Sequence, residues 1–473
     1  MGYVFWFVLT RITTSEIVGS SAAVISFATI FTTIASIGVP SGVQRFLGKS
    51  FSEQKLQDAK VFVKASLLLT TIGTVACVII FYSITYMMPD IFRVDFILII
   101  VVIVFLASSV TSILFRSIII SSLNTKMLPI VVIISSMIKF ALAIILVSIG
   151  LDEVGVVIGA TMLPVLTSLL LAINIILIFK QSKDKSSVSF TRSLKNILIS
   201  STVSWVPAVI IMFGSQLGTV IVFGSKGASQ AGIYFISFSI ASAVWAVMSI
   251  LTTIAYPTLS AMNDGRKKFT WRVIKLSLII AIPVSSWSVF YSKEIMQIFG
   301  QDYLFGASTL EIFLLPTLAI GVTSGINTLA YAYGNYRQVL VIGLASSIPR
   351  TLLYFALVPI YGITGAAIGF SVGSITGFIT SIVIANKIGI QLFWKNIIFI
   401  LLIPHGLAFI FNFAEINYLI SFVIILAVSY FLYIRLGIIS RDDLQDYLTI
   451  MPDFIKNPIL KILKTIDKRS KNF

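Results

Sequence analysis

Between residues 96 and 115 the chain reads FILIIVVIVFLASSVTSILF, twenty residues without a charge. A helix rises about 1.5 Å per residue, so this run spans about 30 Å, the thickness of a hydrocarbon core. The run is continuous rather than alternating, which excludes a barrel strand. A helix is the remaining way to satisfy its backbone in lipid. Comparable runs recur along the whole sequence and predict helices near 2–12, 17–46, 60–82, 96–120, 129–150, 154–180, 196–223, 228–262, 270–291, 303–333, 338–359, 363–387, 395–412 and 416–437. That makes about fourteen transmembrane helices. The longest connections, near 47–59, 83–95 and 181–195, leave no room for an extramembrane catalytic domain.

Composition agrees. Of 473 residues, 58% are hydrophobic and 11% charged, and the mean hydropathy is +1.03. A soluble domain of this length needs far more charge to cover its surface. The expected fold class is therefore all-α integral membrane. The formal net charge of +16 invites a nucleic-acid reading, but the placement of the charges follows membrane topology instead. With the N-terminus in the cytoplasm, 28 of the 34 Lys and Arg fall on inside segments, among them Arg45 to Lys64, Arg116, Lys126, Arg266 to Lys275 and the tail. Only Arg11, Arg93, Lys226 and Lys293 fall outside. This is the positive-inside asymmetry, and it places both termini in the cytoplasm of a multi-pass cell-membrane protein. No nucleic-acid partner is implied. The lone cysteine, Cys77, permits no internal disulfide, and no metal-ligand set or cofactor site is visible. The first hydrophobic segment lacks a small-residue cleavage site and reads as part of the body.

The chain repeats internally. FVKASLLL at 62–69 resembles VIKLSLII at 273–280, LNTK at 123–126 meets GNYR at 334–337, and VGVVIGA at 154–160 meets TGAAIGF at 364–370. Each match is weak, but all hold a register of 210 or 211 residues. Six helices per repeat give both halves one orientation, a parallel repeat about an axis along the membrane normal. The organisation read from this is an N-lobe over 1–180, a linker over 181–195, a C-lobe over 196–390, two further helices over 391–437 and a tail over 438–473. Gly19 aligns with Gly232, yet only 18 residues precede it, so the first helix is short and the N-lobe reads as truncated. Internal pseudo-symmetry removes the need for a dimer, and a monomer is expected. In the tail, Ile455, Ile459, Ile462 and Ile466 recur at helical spacing beside Lys461, Lys464 and Lys468, the pattern of an amphipathic helix lying on an anionic leaflet.

Two basic residues remain inside spans, Lys139 and Arg350, again 211 residues apart. A cation near mid-bilayer costs roughly 2.5–3.5 kcal/mol on insertion scales. Two at equivalent positions suggest a cavity lined from both lobes that would attract an anion. The alternatives are structural pairing, with Glu311 as the one acid placed inside a span, and snorkelling to the interface. Gln216, Asn327 and Asn174 are cavity candidates or helix–helix hydrogen-bonding groups. His405 reads as a packing residue rather than a proton relay. Pro207, Pro283, Pro316 and Pro349 are kinks or simply tolerated membrane prolines. Trp205, Tyr234 and Tyr331 are aromatic candidates for stacking on sugar.

The segments SIGVPSGVQRFLGKSFSEQKLQDAKVFVK at 36–64 and AYPTLSAMNDGRKKFTWRVIK at 255–275, with 123–160 and 334–370, resemble the polysaccharide-transport branch of the multidrug/oligosaccharidyl-lipid/polysaccharide exporter superfamily. The likeness spans nearly the whole chain and rests on the ordered set rather than on any one motif. It implies a flippase, not an enzyme. Such a protein carries a lipid-linked oligosaccharide from the cytoplasmic to the outer leaflet by alternating access, with membrane lipid around it and glycosyltransferases and a polymerase of a surface-glycan pathway as partners. A diphosphate head group would need fixed positive charge, which Lys139 and Arg350 offer as substrate-binding residues. A cation-coupled multidrug exporter of the same fold is the main competitor. It wants intramembrane acids, and Glu311 stands alone. A membrane sugar polymerase or ligase would need a catalytic outward loop, and residues 83–95 supply only Asp90, Arg93 and Asp95.

Overall fold

A computed structural model describes residues 2–87, 96–122, 125–180 and 188–439. The tail expected to form a surface helix lies outside the described residues, as does part of the 181–195 linker. Every regular element described is helical. The chain runs through α1 (Gly2–Ile12), α2 (Ser15–Ala35), α3 (Val39–Ser52), α4 (Leu56–Met87), α5 (Phe96–Ser121), α6 (Met127–Ser148) and α7 (Asp152–Phe179). It continues through α8 (Phe190–Lys226), α9 (Ala228–Ala261), α10 (Arg266–Phe290), α11 (Ser292–Phe299), a 3-10 turn (Gln301–Gly306), α12 (Ala307–Leu314) and α13 (Thr317–Ala332). It closes with α14 (Tyr336–Ile388), α15 (Trp394–Phe413) and α16 (Tyr418–Arg435). Eleven helices are long and apolar enough to cross a membrane, or twelve if the bent pair around Pro316 is one span. Their outer faces expose Ile79, Ile176, Leu352 and Phe413 among many other large apolar side chains. A surface so apolar belongs against lipid.

Two predicted helices are broken, each for a local reason, and a third break falls between the two helices expected over 338–359 and 363–387. The helix expected over 17–46 stops at Ala35 because Ile37 and Gly38 adopt φ of 48° and 65°. Glycine takes that conformation without strain. A Cβ on Gly38 would also sit 2.7 Å from the Trp205 Cβ. The helix expected over 303–333 bends by 46° at Leu315–Pro316, where proline withdraws a backbone donor. Within α14, Gly362 has φ 60° and ψ −135°, so the 53-residue helix is two arms joined at a kink.

Glycine spacing then packs the arms together. Gly365, Gly369, Gly373 and Gly377 recur every fourth residue, and a Cβ on each would press on Leu357, Tyr354, Arg350 or Ser346 of the first arm. Such small-residue stripes let backbones approach closely in lipid. Gly155 and Gly159 play the same part in α7, against Leu146 and Ala143 of α6.

Helices α2, α5 and α7 enclose one set of buried clusters, and α9, α10, α12, α13 and α14 another. The two sets meet where α2 lies on α8 and α9. Ser15 and Ser229 approach Oγ to Oγ at 3.0 Å there, at the starts of α2 and α9. Hydrogen bonds dock α15 and α16 on the end of α10. Trp287 Nε1 donates to Tyr418 O at 2.9 Å, the Tyr291 hydroxyl to Ile416 O at 3.1 Å and Asn412 Nδ2 to Phe290 O at 2.8 Å. Lys275, expected on an exposed basic segment, is instead 6% exposed and donates to Ile438 O at 3.0 Å.

Candidate functional site

A cavity of about 400 Å³ opens among α2, α5, α6 and α7. Its cations are Lys139 of α6 and Arg116 of α5. Twelve residues into α6, Lys139 stands about 18 Å along the helix axis. Its Nζ lies 4.0 Å from the Phe5 ring centroid, so the short α1 supplies an aromatic face for the cation. Such a contact is worth about 0.5–2 kcal/mol and offsets part of the insertion cost. Arg116 has a buried Nε with no hydrogen-bond partner among the described residues. No Asp or Glu lines the cavity, and Glu53, which pairs with Lys49 and Lys55, lies outside it.

The rest of the lining is polar in a particular way. Thr29 and Thr32 donate their hydroxyl protons back to Ile25 O and Ala28 O, at 2.7 and 2.9 Å. Lys139, Arg116 and the amide of Gln216, which α8 contributes, offer donors to an occupant beside the hydroxyls of Ser26, Ser109 and Ser112 and the Trp6 indole. An anion is the occupant such a lining stabilises.

Two more cavities bear on the site. One, about 210 Å³ and almost wholly apolar, is lined by Tyr3, Ile236, Ile240 and Phe299 and shares Trp6 with the cationic cavity. The other, about 710 Å³, lies at the basic ends of α3, α9, α13 and α14 and includes Gln44, Tyr256, Tyr331 and Tyr336. Gln44 Nε2 donates to Ser117 Oγ at 3.2 Å, the residue next to Arg116.

The structure brings some expected residues together and separates others. Gln216 joins Lys139 in one cavity. Arg350 lines none of these cavities. Its guanidinium donates to Gly214 O at 3.3 Å and Ser374 Oγ at 3.1 Å, and its carbon lies 4.0 Å over Phe370. Phe370 in turn stacks on Trp245 with centroids 5.1 Å apart. The two intramembrane cations thus occupy separate environments in this arrangement. Glu311 pairs with neither, because it accepts from Ser292 Oγ at 2.5 Å. Asn327 keeps a buried Oδ1 without a partner among the described residues, one residue from Thr328 in the wall of the 710 Å³ cavity. Asn174 donates to Leu170 O of its own helix. His405 packs α15 on α10, with Nδ1 2.7 Å from Ser286 Oγ and 2.9 Å from Leu401 O. Of the three aromatic candidates, Tyr331 faces a cavity. Trp205 is engaged with Thr33 O, and Tyr234 is fully buried against Phe313.

Arg116 was missed. Counting charges assigned it to an inside segment although it lies within the helix expected over 96–120, and α5 holds it there. Its five-residue distance from the helix end was the available signal.

The family described as "Polysaccharide biosynthesis protein" matches residues 1–263, more than half of the chain. The chain belongs to that family. Its fold is that of the wider exporter superfamily. Over 93% of this chain and 97% of the other, it superposes on a lipid II flippase, MurJ, in an inward closed conformation, with a TM-score of 0.68 and 16% identity. An inward-facing multidrug resistance MATE transporter matches over 81% of this chain and 94% of its own, with a TM-score of 0.60 and 15% identity. The outward-facing form of a MATE transporter gives 0.55 at 16% identity, over 81% and 90%. No curated relative matches the chain. Membership of the polysaccharide biosynthesis family, together with the long apolar helices, makes this a multi-pass membrane protein with the fold of transporters and flippases.

Proposed function

We propose that the protein translocates an oligosaccharide, joined to lipid through a phosphate or pyrophosphate, from the cytoplasmic to the outer leaflet of the cell membrane, by alternating access, for surface-glycan assembly. The observation that carries this reading is the adjacency of a cationic, acid-free cavity to an apolar one through Trp6. An amphiphile with a phosphate or diphosphate between sugar and lipid matches that adjacency. Lys139 and Arg116 would hold the phosphate, and the apolar cavity would take the first part of the tail. Arg350 acts at one remove, bracing α14 against α8 two residues from Gln216. In this reading the halves 1–180 and 196–390 rock so that the α2–α9 contact opens and closes, both termini face the cytoplasm, and the protein works as a monomer beside glycosyltransferases and a polymerase.

A cation-coupled multidrug exporter has the same fold, and the MATE likeness favours it. It would use Glu311, which is tied to Ser292 and lines none of the cavities described. The test is surface glycan in cells whose chromosomal copy is replaced by Lys139→Ala. Loss of surface glycan with the protein still in the membrane supports the flippase. Normal glycan with Lys139→Ala, but loss of drug efflux with Glu311→Gln, would establish the exporter instead.

A further inference from the structure

We infer that the 710 Å³ vestibule is a separate glycan subsite, and that it selects uncharged sugars. This deepens the flippase reading and rests on it. The volume falls within the roughly 300–1,000 Å³ of ordinary ligand sites. No Lys, Arg, Asp, Glu or His lines it, although it opens at the most basic end of the molecule. Its chemistry is instead hydroxyl and aromatic. Tyr256, Tyr331 and Tyr336 stand on three different helices, α9, α13 and α14. Tyr331 and Tyr336 meet edge to face, with centroids 6.0 Å apart and planes at 72°, which holds both rings at fixed orientations. None of the three phenols has a hydrogen-bond partner among the described residues, so each keeps a donor and an acceptor for an occupant.

Sugars present just the complementary surface. Their apolar C–H faces lie on aromatic rings, and their hydroxyls exchange hydrogen bonds with phenols and hydroxyls. Thr253 and Thr328 donate their protons to Ser249 O and Ser324 O, so they offer acceptor lone pairs to sugar hydroxyls. A carboxylated sugar would lose hydration here without gaining a cation. The Gln44–Ser117 bond ties the vestibule wall to α5 one residue from Arg116. The glycan would therefore lie towards the basic end while its phosphate reaches the cationic cavity. The single substrate molecule is divided between two chemistries, and the residues that read each are distinct.

The experiment uses the full chain in detergent and follows thermal unfolding with two soluble probes, inorganic pyrophosphate and a neutral N-acetylglucosamine trimer. Both should raise the midpoint of the wild type. Tyr331→Ala should weaken the trimer's apparent Kd by about tenfold and leave the pyrophosphate response intact. Tyr331→Phe should keep most of the trimer response, because the ring remains. Lys139→Ala should do the reverse of Tyr331→Ala. The subsite alone is overturned if Lys139→Ala abolishes the pyrophosphate response while the trimer gives none, or gives one that Tyr331→Ala leaves unchanged. A uronic-acid trimer that stabilises as well as the neutral one overturns the selectivity. Absence of any pyrophosphate response in the wild type counts against the flippase reading itself.

Discussion

Gly19 of α2 and Gly232 of α9 lie against each other, so closely that a Cβ on Gly19 would stand 2.5 Å from the Gly232 nitrogen and collide with Ala228 O. One turn away, Ser15 Oγ and Ser229 Oγ are 3.0 Å apart. This backbone-to-backbone contact closes the two sets of helices at the end opposite the tyrosine vestibule. A transporter that alternates must break it. Replacing Ser15 and Ser229 by cysteine in a Cys77→Ala background should yield a disulfide on mild oxidation, since the side chains already stand within bridging range. Transport should stop in the oxidised protein and return with reductant. A cross-linked protein that still transports would show that this contact does not open.

A leucine at Gly19 tests the same contact from the other side. Its side chain cannot be accommodated without separating α2 from α9. The expected outcome is a protein that inserts normally and that labels readily at a cysteine placed at Ser229, where the wild-type background labels slowly. Equal labelling rates would count against a tight seal.

The cationic cavity makes a graded prediction. A charge-assisted hydrogen bond is worth about 1.5–3 kcal/mol, so Lys139→Ala should weaken pyrophosphate binding about ten- to a hundredfold. Phe5→Ala removes the aromatic face 4.0 Å from the ammonium and should cost a few-fold in the same measurement, or about 0.5–2 kcal/mol. Isothermal titration of the purified protein reads both. Phe5→Ala matching Lys139→Ala in size would mean that α1 shapes the whole cavity rather than only the cation.

These contrasts mark how much the sequence carries. Apolar run length decided the class, and charge placement decided which helix ends belong together, because both report on solvation of whole segments. The breaks were harder to read. Gly362 falls between the helices expected over 338–359 and 363–387, but Gly38 is a single residue with positive φ inside an apolar stretch, and nothing in hydropathy separates it from packing glycines such as Gly369. The site was half legible. Lys139 stands out because an uncompensated cation in a span is costly. Arg350 carried the same signal, yet Phe370, Ser374 and Gly214 O compensate it. Burial cost is visible along the chain, whereas its compensation depends on which distant residues fold against it. Tyr256 and Tyr336 carried no signal, since tyrosines near helix ends are ordinary at a membrane interface.

Arg350 therefore yields the sharpest separation of roles. If it braces α14 on α8, then Arg350→Ala leaves Gly214 O without its guanidinium donor and a void beside Phe370. Losing a buried hydrogen-bonded partner of this kind costs about 1–3 kcal/mol, which unfolding in urea or by heat should register. Arg350→Lys keeps the charge but loses the planar fork that reaches Gly214 O and Ser374 Oγ together, so it should recover little of that stability. Pyrophosphate affinity should change less than twofold in both variants, provided they are measured below their own transitions. A loss of affinity in Arg350→Ala as large as that in Lys139→Ala, restored by lysine, would mean that the guanidinium leaves Phe370 and enters the substrate path during transport. The two cations would then act on one anion in turn rather than together.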